Sequence, residues 1–483
     1  MNMISPVPDA ETLCRQATAF LDTGRPGAAR PLLAAARTLD DTIPTLVLAE
    51  VRLALLDGAL IQAIEQLDRA LITNPSHAGL RKCRADVRYG IGDWEGAARD
   101  AAEAVVAQPS DADAKARLGT ALLELGYIKE AIACMQEALA AAPNLVGCRE
   151  ALARALEAAG DIEAADRVLT DGLARGPANV TLFNAAIMLN LRRRDFVQAV
   201  AQAEQAVLAG IADATTFALR GHASCSLGQH DQAVQAYQEA LKLAPEDQHI
   251  RHLAAAHGMT SEGRRAPADY VRHAFDAYAG RFDAHLASLG YAIPSLIADV
   301  VARHPKIAGG NALGPVLDLG CGTGLVAMAL GDLPLGPFTG IDLSPNMLAE
   351  AERKRLYATL READIIEDLS TQSSQWPLIV AADVVCYFGD LKGLMHGISR
   401  CLAPEGWFVF SIETLLPDRD GVLPGNGDWA LLRQGRYAHT HDYVYDCISE
   451  ADLRIAQNDR CVIRREAGAD VPGLLLTITP VAA

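Results

Sequence analysis

Three glycines at alternate positions, Gly320, Gly322 and Gly324, lie inside the run VLDLGCGTG at residues 316–324. Glycine permits positive φ, and without a Cβ it lets a ligand lie directly against the backbone where a helix begins. Eighteen residues beyond Gly324 stands Asp342, at the end of the apolar run FTGID. Its two carboxylate oxygens can accept both hydroxyl hydrogens of a ribose and would repel a phosphate. Further on, GRYAHTHDYVYD carries His439 and His441, two residues apart. Imidazoles titrate near neutral pH, so both are candidates for a base or a substrate ligand. His439, His441 and Asp442 are compact enough for a metal site, yet spacing identifies no further ligand and no metal is expected.

These residues need a scaffold, and the neighbouring patterns supply one. Val316, Leu317 and Leu319 suit a strand buried on both faces of a parallel sheet, followed by the glycine turn and a helix. FTGID is a second strand, after which Ser344 and Pro345 read as an N-cap and first helical residue. A third strand near 359–363 ends at Asp364 and Ile365; PLIVAADVVCYF and GWFVFSIE are the fourth and fifth. Residues 414–449 form an insertion with Tyr437, Tyr443 and Tyr445 as wall material, and Glu413 faces the same mouth. Two β-rich runs, 452–464 and 471–479, close the chain as a hairpin. Upstream, polar residues 257–267 mark a boundary, then Tyr270, Ala274, Tyr278 and Phe282 recur four apart with Phe275 beside them. A helix at 294–304 precedes the first strand.

The first half repeats. Gly24, Gly58, Gly92, Gly126, Gly160 and Gly228 share one 34-residue grid, with Arg194 where a glycine is due. Ala29, Ala63, Ala97, Ala131, Ala165, Ala199 and Ala233 follow five residues later, and Pro75, Pro109, Pro143, Pro177 and Pro245 close repeats. Small residues let helices approach, the glycine breaks between them, and the proline ends the second helix. The pattern resembles the tetratricopeptide repeat and implies an all-α solenoid over 10–257, seven repeats with a closing helix near 249–256. Such a solenoid offers a groove to a protein or peptide partner. Lys82 has a suitable groove position, but Asp86 stands where a carboxylate clamp would want Asn; Arg192 to Arg194 read as a solvated helix end.

Residues 266–481 resemble a Rossmann-like α/β domain of the class I S-adenosylmethionine-dependent methyltransferases, whose first motif has this G-x-G-x-G spacing. The combination with repeats resembles a bacterial family of tetratricopeptide-repeat methyltransferases that share the turn G-R-Y-x-H, here at 435–439. The turn CLAPEG departs from the family's L-x-P-G-G only in Glu405, a structural position. The resemblance implies S-adenosylmethionine as cofactor, held by Asp318, Gly320, Gly322, Gly324, Asp342, Leu343, Asp364, Ile365 and Asp383. Within that set it gives Asp364 the adenine amino group and Ile365 the ring. It also implies an N-terminal lid with Tyr270 and Tyr278, and a substrate-facing Tyr387. The expected reaction is O- or N-methylation of a small-molecule or carrier-bound acceptor, with His439, His441 and Tyr387 as catalytic candidates. The alternative is a repeat-based adaptor whose second domain only binds cofactor. Nicotinamide redox chemistry is excluded by the glycine spacing.

Composition narrows the setting. At 483 residues more than one domain is expected. The formal charge is -17, with 24 Lys/Arg against 32 Asp/Glu in 1–257 and 19 against 28 in 258–483. Neither half has the basic footprint of a nucleic-acid or anionic-membrane binder. Ten cysteines without a C-x-x-C pair fit a reducing compartment, and Cys321, Cys386 and Cys401 read as small buried residues. The start lacks a signal-peptide pattern, and no apolar run approaches the ~20 residues of a membrane span. A cytoplasmic protein is expected.

Overall fold

The computed structural model describes residues 8–481, except 146, 176–178, 262, 277, 373–374, 418–421, 426 and 467–468. The chain divides into two compact units, Met1–Ala223 and Ser224–Ala483.

In the first unit helices pair in sequence, from Ala10–Asp22 with Pro26–Leu39 to Val180–Arg193 with Phe196–Leu208. Ala29, Ala63, Ala97, Ala131, Ala165 and Ala199 are buried, with Leu67, Met135 and Leu169 filling the seam. Small residues are required there, since a Cβ on Gly119 would come within 2.7 Å of Met135 Cγ. Arg194, the exception on the glycine grid, itself adopts the left-handed conformation at φ 61° and caps its helix. A non-glycine residue does this at a cost of about 1 kcal/mol. Pro177 lies outside the described residues. Lys82 is not free for a partner's carboxylate: its Nζ meets Asp111 at 2.8 Å and Asp113 at 3.1 Å. Asp86 accepts two bonds from Arg117, Arg192 pairs with Glu157, and Arg193 pairs with Asp166.

The second unit opens with the helices His230–Leu243 and Gln248–Ala255. Their place there follows from packing. Tyr237, Leu253 and Ala254 share a buried cluster with Met259 and Tyr270, and Ala255 and Ala256 share another with Ala266, Leu431 and Tyr437. The break between units therefore falls near 223, upstream of the polar stretch 257–267.

A seven-stranded sheet forms the body of this unit. Its strands are β1 (Val316–Leu319), β2 (Phe338–Asp342), β3 (Thr359–Glu362), β4 (Trp376–Ala381), β5 (Leu402–Glu413), β8 (Leu453–Glu466) and β9 (Ala469–Pro480). A separate ribbon pairs β6 (Trp429–Leu431) with β7 (Tyr437–His439). The sheet order is β3-β2-β1-β4-β5-β9-β8; β1 to β5 pair in parallel, and β9 runs antiparallel to both neighbours. Alternation along the strands builds two cores. Val316, Leu378, Val380 and Val409 face the helix Ile293–Val301, while Leu317, Leu319, Ile379, Phe408 and Phe410 pack with the helices Lys392–Cys401 and His441–Glu450. Because β1 is buried on both faces, the residues that follow it are delivered to a fixed point.

Candidate functional site

Gly320 and Gly322 leave β1 with φ of 64° and 52°. Gly320 is demanded by packing, because a Cβ there would stand 2.4 Å from Val384 Cγ2. At Gly322 a Cβ would enter open space, with only Phe282 Cε1 in reach at 3.8 Å. Asp342 ends β2 beside this turn. Its Oδ2 accepts the Gly322 N–H at 2.9 Å and its Oδ1 accepts the Ser344 N–H at 2.8 Å. Each oxygen keeps a lone pair for a ligand. Burial pushes its carboxyl pKa upward, and the amide donors oppose the shift. A cavity of about 350 Å³ opens here at the carboxyl ends of the parallel strands. Gly320, Gly322, Asp342, Leu343, Asp364 and Ile365 line one end of it.

A covering segment closes this cavity, formed by the helix Ala268–Asp276, the turn Ala279–Arg281 and the helix Phe282–Ser288. Tyr278 lines the cavity beneath it, edge-on to Phe282 at 5.3 Å. Phe275 packs edge-on against Tyr387 at 5.7 Å. Polar ties hold the segment down. Asp276 Oδ1 accepts from Ser344 Oγ at 2.6 Å, Asp283 binds Lys354 at 2.6 Å, and Arg272 Nε donates to Leu343 O at 3.1 Å. Just upstream, Arg265 Nη1 reaches both oxygens of Asp364 at 2.9 and 3.0 Å. Asp364 Oδ1 also caps the helix Ile365–Thr371 through the Ile366 N–H at 2.9 Å.

The other end of the cavity is an ion-pair network from distant segments. Arg464, 3 % exposed, donates through Nη1 to Asp383 at 2.7 and 2.9 Å, through Nη2 to Glu413 at 2.5 Å, and through Nε to Glu466 at 2.9 Å. Arg436 Nε donates to the same Glu413 at 2.9 Å, and its Nη2 donates to Glu466 at 2.5 and 2.6 Å. Asp383, Arg436, Arg464, Glu466 and Tyr387 line the cavity; Glu413 sits behind them, buried, where burial pushes its carboxyl pKa up. Asp383 is held at φ 56°, a strained conformation for a non-glycine residue. Asp383, Cys386 and Glu413 are close enough together to ligate a metal, but the Arg464 guanidinium already serves as the cation for both carboxylates.

Several expected site residues lie elsewhere. His439 is fully buried, and its Nε2 donates to Phe388 O at 2.8 Å and Gly389 O at 3.2 Å. Burial lowers its pKa to about 4, so it is a neutral ring that pins the loop after β4 and does not face the cavity. His441 starts the helix His441–Glu450 with Nε2 3.2 Å from Thr414 Oγ1, again outside the lining. Tyr270 packs tilted against the ring of His252, with ring centroids 4.5 Å apart, and His252 Nε2 meets Gly435 O at 2.9 Å. Gly324 caps the helix Leu325–Ala329 beside Tyr357, away from the lining. Asp318, buried, accepts from Tyr357 OH at 2.7 Å while its Oδ1 has no partner; burial raises its pKa to about 7. Arg436, Arg464 and Glu466 were not singled out as site residues by sequence. Only the turn at 435–439 gave a signal for Arg436.

Known proteins share both parts. Residues 316–406 match the family model described as a methyltransferase domain, and 84–145 and 214–247 match tetratricopeptide repeat models. Demethylmenaquinone methyltransferase of Chlorobaculum parvum is 32 % identical over 150 residues, 30 % of this chain and 61 % of that protein. The chain thus spans about three fifths of the length of such curated relatives. Among solved structures, a tetratricopeptide repeat protein from Parabacteroides merdae is 19 % identical, with a TM-score of 0.42 over 51 % of this chain and 97 % of that one. Magnesium protoporphyrin IX methyltransferase from Synechocystis with bound SAH is 16 % identical, with a TM-score of 0.33 over 44 % of this chain and 100 % of that one. The chain carries tetratricopeptide repeats and a class I methyltransferase domain.

Proposed function

We propose that the chain is an S-adenosylmethionine-dependent methyltransferase, acting on a small-molecule or carrier-bound acceptor, with repeats that recruit a protein or peptide. The observation that carries this reading is Asp342, braced by the Gly322 and Ser344 amides and lining the cavity with lone pairs to spare. Those lone pairs suit the two hydroxyls of a ribose, and the open space at Gly322 is a cradle that a Cβ would fill. Leu343 and Ile365 give apolar surface beside Asp364 for an adenine. When bound, the cofactor supplies an electrophilic methyl group. The chain's own part is to align the acceptor and to exclude water, and the covering segment with its ties to Leu343, Ser344 and Lys354 suits that task. All ten cysteines are free thiols, in keeping with a reducing, cytoplasmic setting as part of the proposal.

Calorimetric titration with S-adenosylhomocysteine tests the reading. Asp342→Ala is expected to weaken binding about tenfold or more, the scale of lost charge-assisted hydrogen bonds. Equal affinities for the two proteins would sink the assignment. The adaptor reading has one observation in its favour: Arg265 already engages both oxygens of Asp364. Incubation of the full chain with methyl-labelled donor and cell extract separates the two readings, since an adaptor transfers no label.

A further inference from the structure

We propose that the acceptor is an apolar molecule carrying a carboxylate, received by Arg436, Tyr291 and Tyr387 and methylated on oxygen to an ester. The proposal rests on the methyltransferase reading above and names its substrate class.

The first argument is an account of hydrogen bonds at the ion-pair end. The carboxylates there are already supplied with donors, Asp383 by Arg464 and Glu466 by both arginines. What remains is on the donor side. Arg436 uses Nε and Nη2 and has no partner at Nη1 among the described residues. Tyr291 and Tyr387 line the same cavity, and neither phenol hydroxyl has a hydrogen-bond partner among the described residues. Two guanidinium hydrogens and two hydroxyls call for a group that accepts several bonds. A carboxylate accepts at both oxygens and matches a guanidinium in charge. Val271, Phe275, Phe282, Leu286 and Leu289 line the rest of the wall and suit an apolar body.

The second argument concerns protons. A hydroxyl or ammonium acceptor needs a base in reach, whereas a carboxylate arrives without a proton to lose. His439 and His441 do not line the cavity, and Asp383 and Glu466 are held by guanidinium groups. His285 is the histidine among the described lining residues, and it is exposed on the covering helix. The network's three carboxylates outnumber its two guanidiniums, which would oppose an anion. Glu413, the most buried of the three, accepts from both guanidiniums and sits behind the lining, so the wall itself presents two carboxylates, Asp383 and Glu466, against two guanidiniums. In the reaction a carboxylate oxygen forms the bond to the methyl carbon as the carbon–sulfur bond of the donor breaks. The electron pair of that bond stays on sulfur, the sulfonium becomes a thioether, the carboxylate becomes a neutral ester, and no proton moves.

The chemistry of the product tests this with the full chain, methyl-labelled donor and a small-molecule extract. Label in an ester is released as volatile methanol by alkali, and that is the expected result. Alkali-stable label overturns the carboxylate proposal alone, while no label at all removes the methyltransferase reading beneath it. The rate is expected to be flat from about pH 6 to about pH 8, above the titration of a carboxylic acid. A limb in that range that disappears in His285→Gln would assign a base and overturn the proposal. Binding gives a readout without the donor. Cinnamate is expected to raise the melting temperature of the full chain, and the uncharged isostere cinnamamide is not. Equal response to both, or to neither, counts against the proposal. The double variant Tyr291→Phe/Tyr387→Phe removes only two hydroxyls and so keeps the fold. It is expected to bind cinnamate about tenfold more weakly, the scale of two lost hydrogen bonds, and to raise KM for the labelled acceptor more than it lowers kcat. Unchanged cinnamate binding in this variant would refute the assignment of the hydroxyls.

Discussion

The two ends of the cavity are built by different means. At the glycine end the backbone does most of the work: a turn of positive φ, two amides braced on Asp342, and strand ends delivered by a buried parallel sheet. At the ion-pair end side chains do it, with Asp383 after β4, Glu413 at the end of β5, Arg436 before β7, and Arg464 and Glu466 on β8. A site made from backbone tolerates few residue types over a short stretch. A site made from side chains depends on every element that brings them together, and removing one partner leaves its neighbours buried and uncompensated.

The largest expected effect follows from that contrast. Arg464→Met strands Asp383 without its cation, leaves Glu413 with Arg436 alone, and should cost about 3–5 kcal/mol in chemical denaturation. Adding Glu413→Gln should recover part of the loss; if the single change is near neutral, the network does not hold this end together. At the glycine end Asp318→Asn should act in the opposite direction. The Asp318 pKa is raised to about 7 by burial, so the folded state favours its protonated form. Its stabilising contribution is complete below about pH 4, its unfolded range, and is lost as pH rises through about 7. The Asn variant should therefore gain stability over the wild type as pH rises, by about 4 kcal/mol at about pH 8. A pH-independent difference would contradict the buried-acid account.

Gly320→Ala comes next, at about 2 kcal/mol, because the new Cβ meets Val384 Cγ2 at a positive φ. It should also weaken S-adenosylhomocysteine binding, which a titration would show. The smallest effect is expected at His439→Gln, about 1 kcal/mol at neutral pH from its bonds to the Phe388 and Gly389 carbonyls. The His439 pKa is depressed to about 4, so its contribution is present above about pH 6.5 and is lost as pH falls toward 4. The variant's stability should accordingly depend less on pH over that interval. If instead the pH profile of turnover loses a limb, His439 acts on a proton in the reaction.

What could be read in advance followed from how local each feature is. The 34-residue grid was legible because each repeat obeys the same helix-packing constraint, which makes Ala29 and Ala165 small for one reason. The strands themselves were legible because β1, β2 and β4 are short apolar runs with their own turns. His439 misled because an imidazole in a tyrosine-rich insertion looks the same whether it faces a cavity or caps two carbonyls. Tyr270 misled similarly: it lies on the expected aromatic stripe, but His252 lies against its ring. Arg464 gave no signal, since one arginine in a β-rich tail reads as solvent-facing until the bulge between Val462 and Arg464 is seen.

The amino-acid sequence by itself determined the repeats, the glycine turn, and Asp342 at its distance beyond the turn. Those features depend on backbone conformation and on patterns confined to a 34-residue repeat or a single strand–turn unit, which residues near in sequence encode. Tertiary structure alone decided which polar groups meet at the far end of the cavity and which are left with free donors. Those answers depend on strands far apart in the chain converging on one volume, where each carboxylate must find a partner or lose its charge.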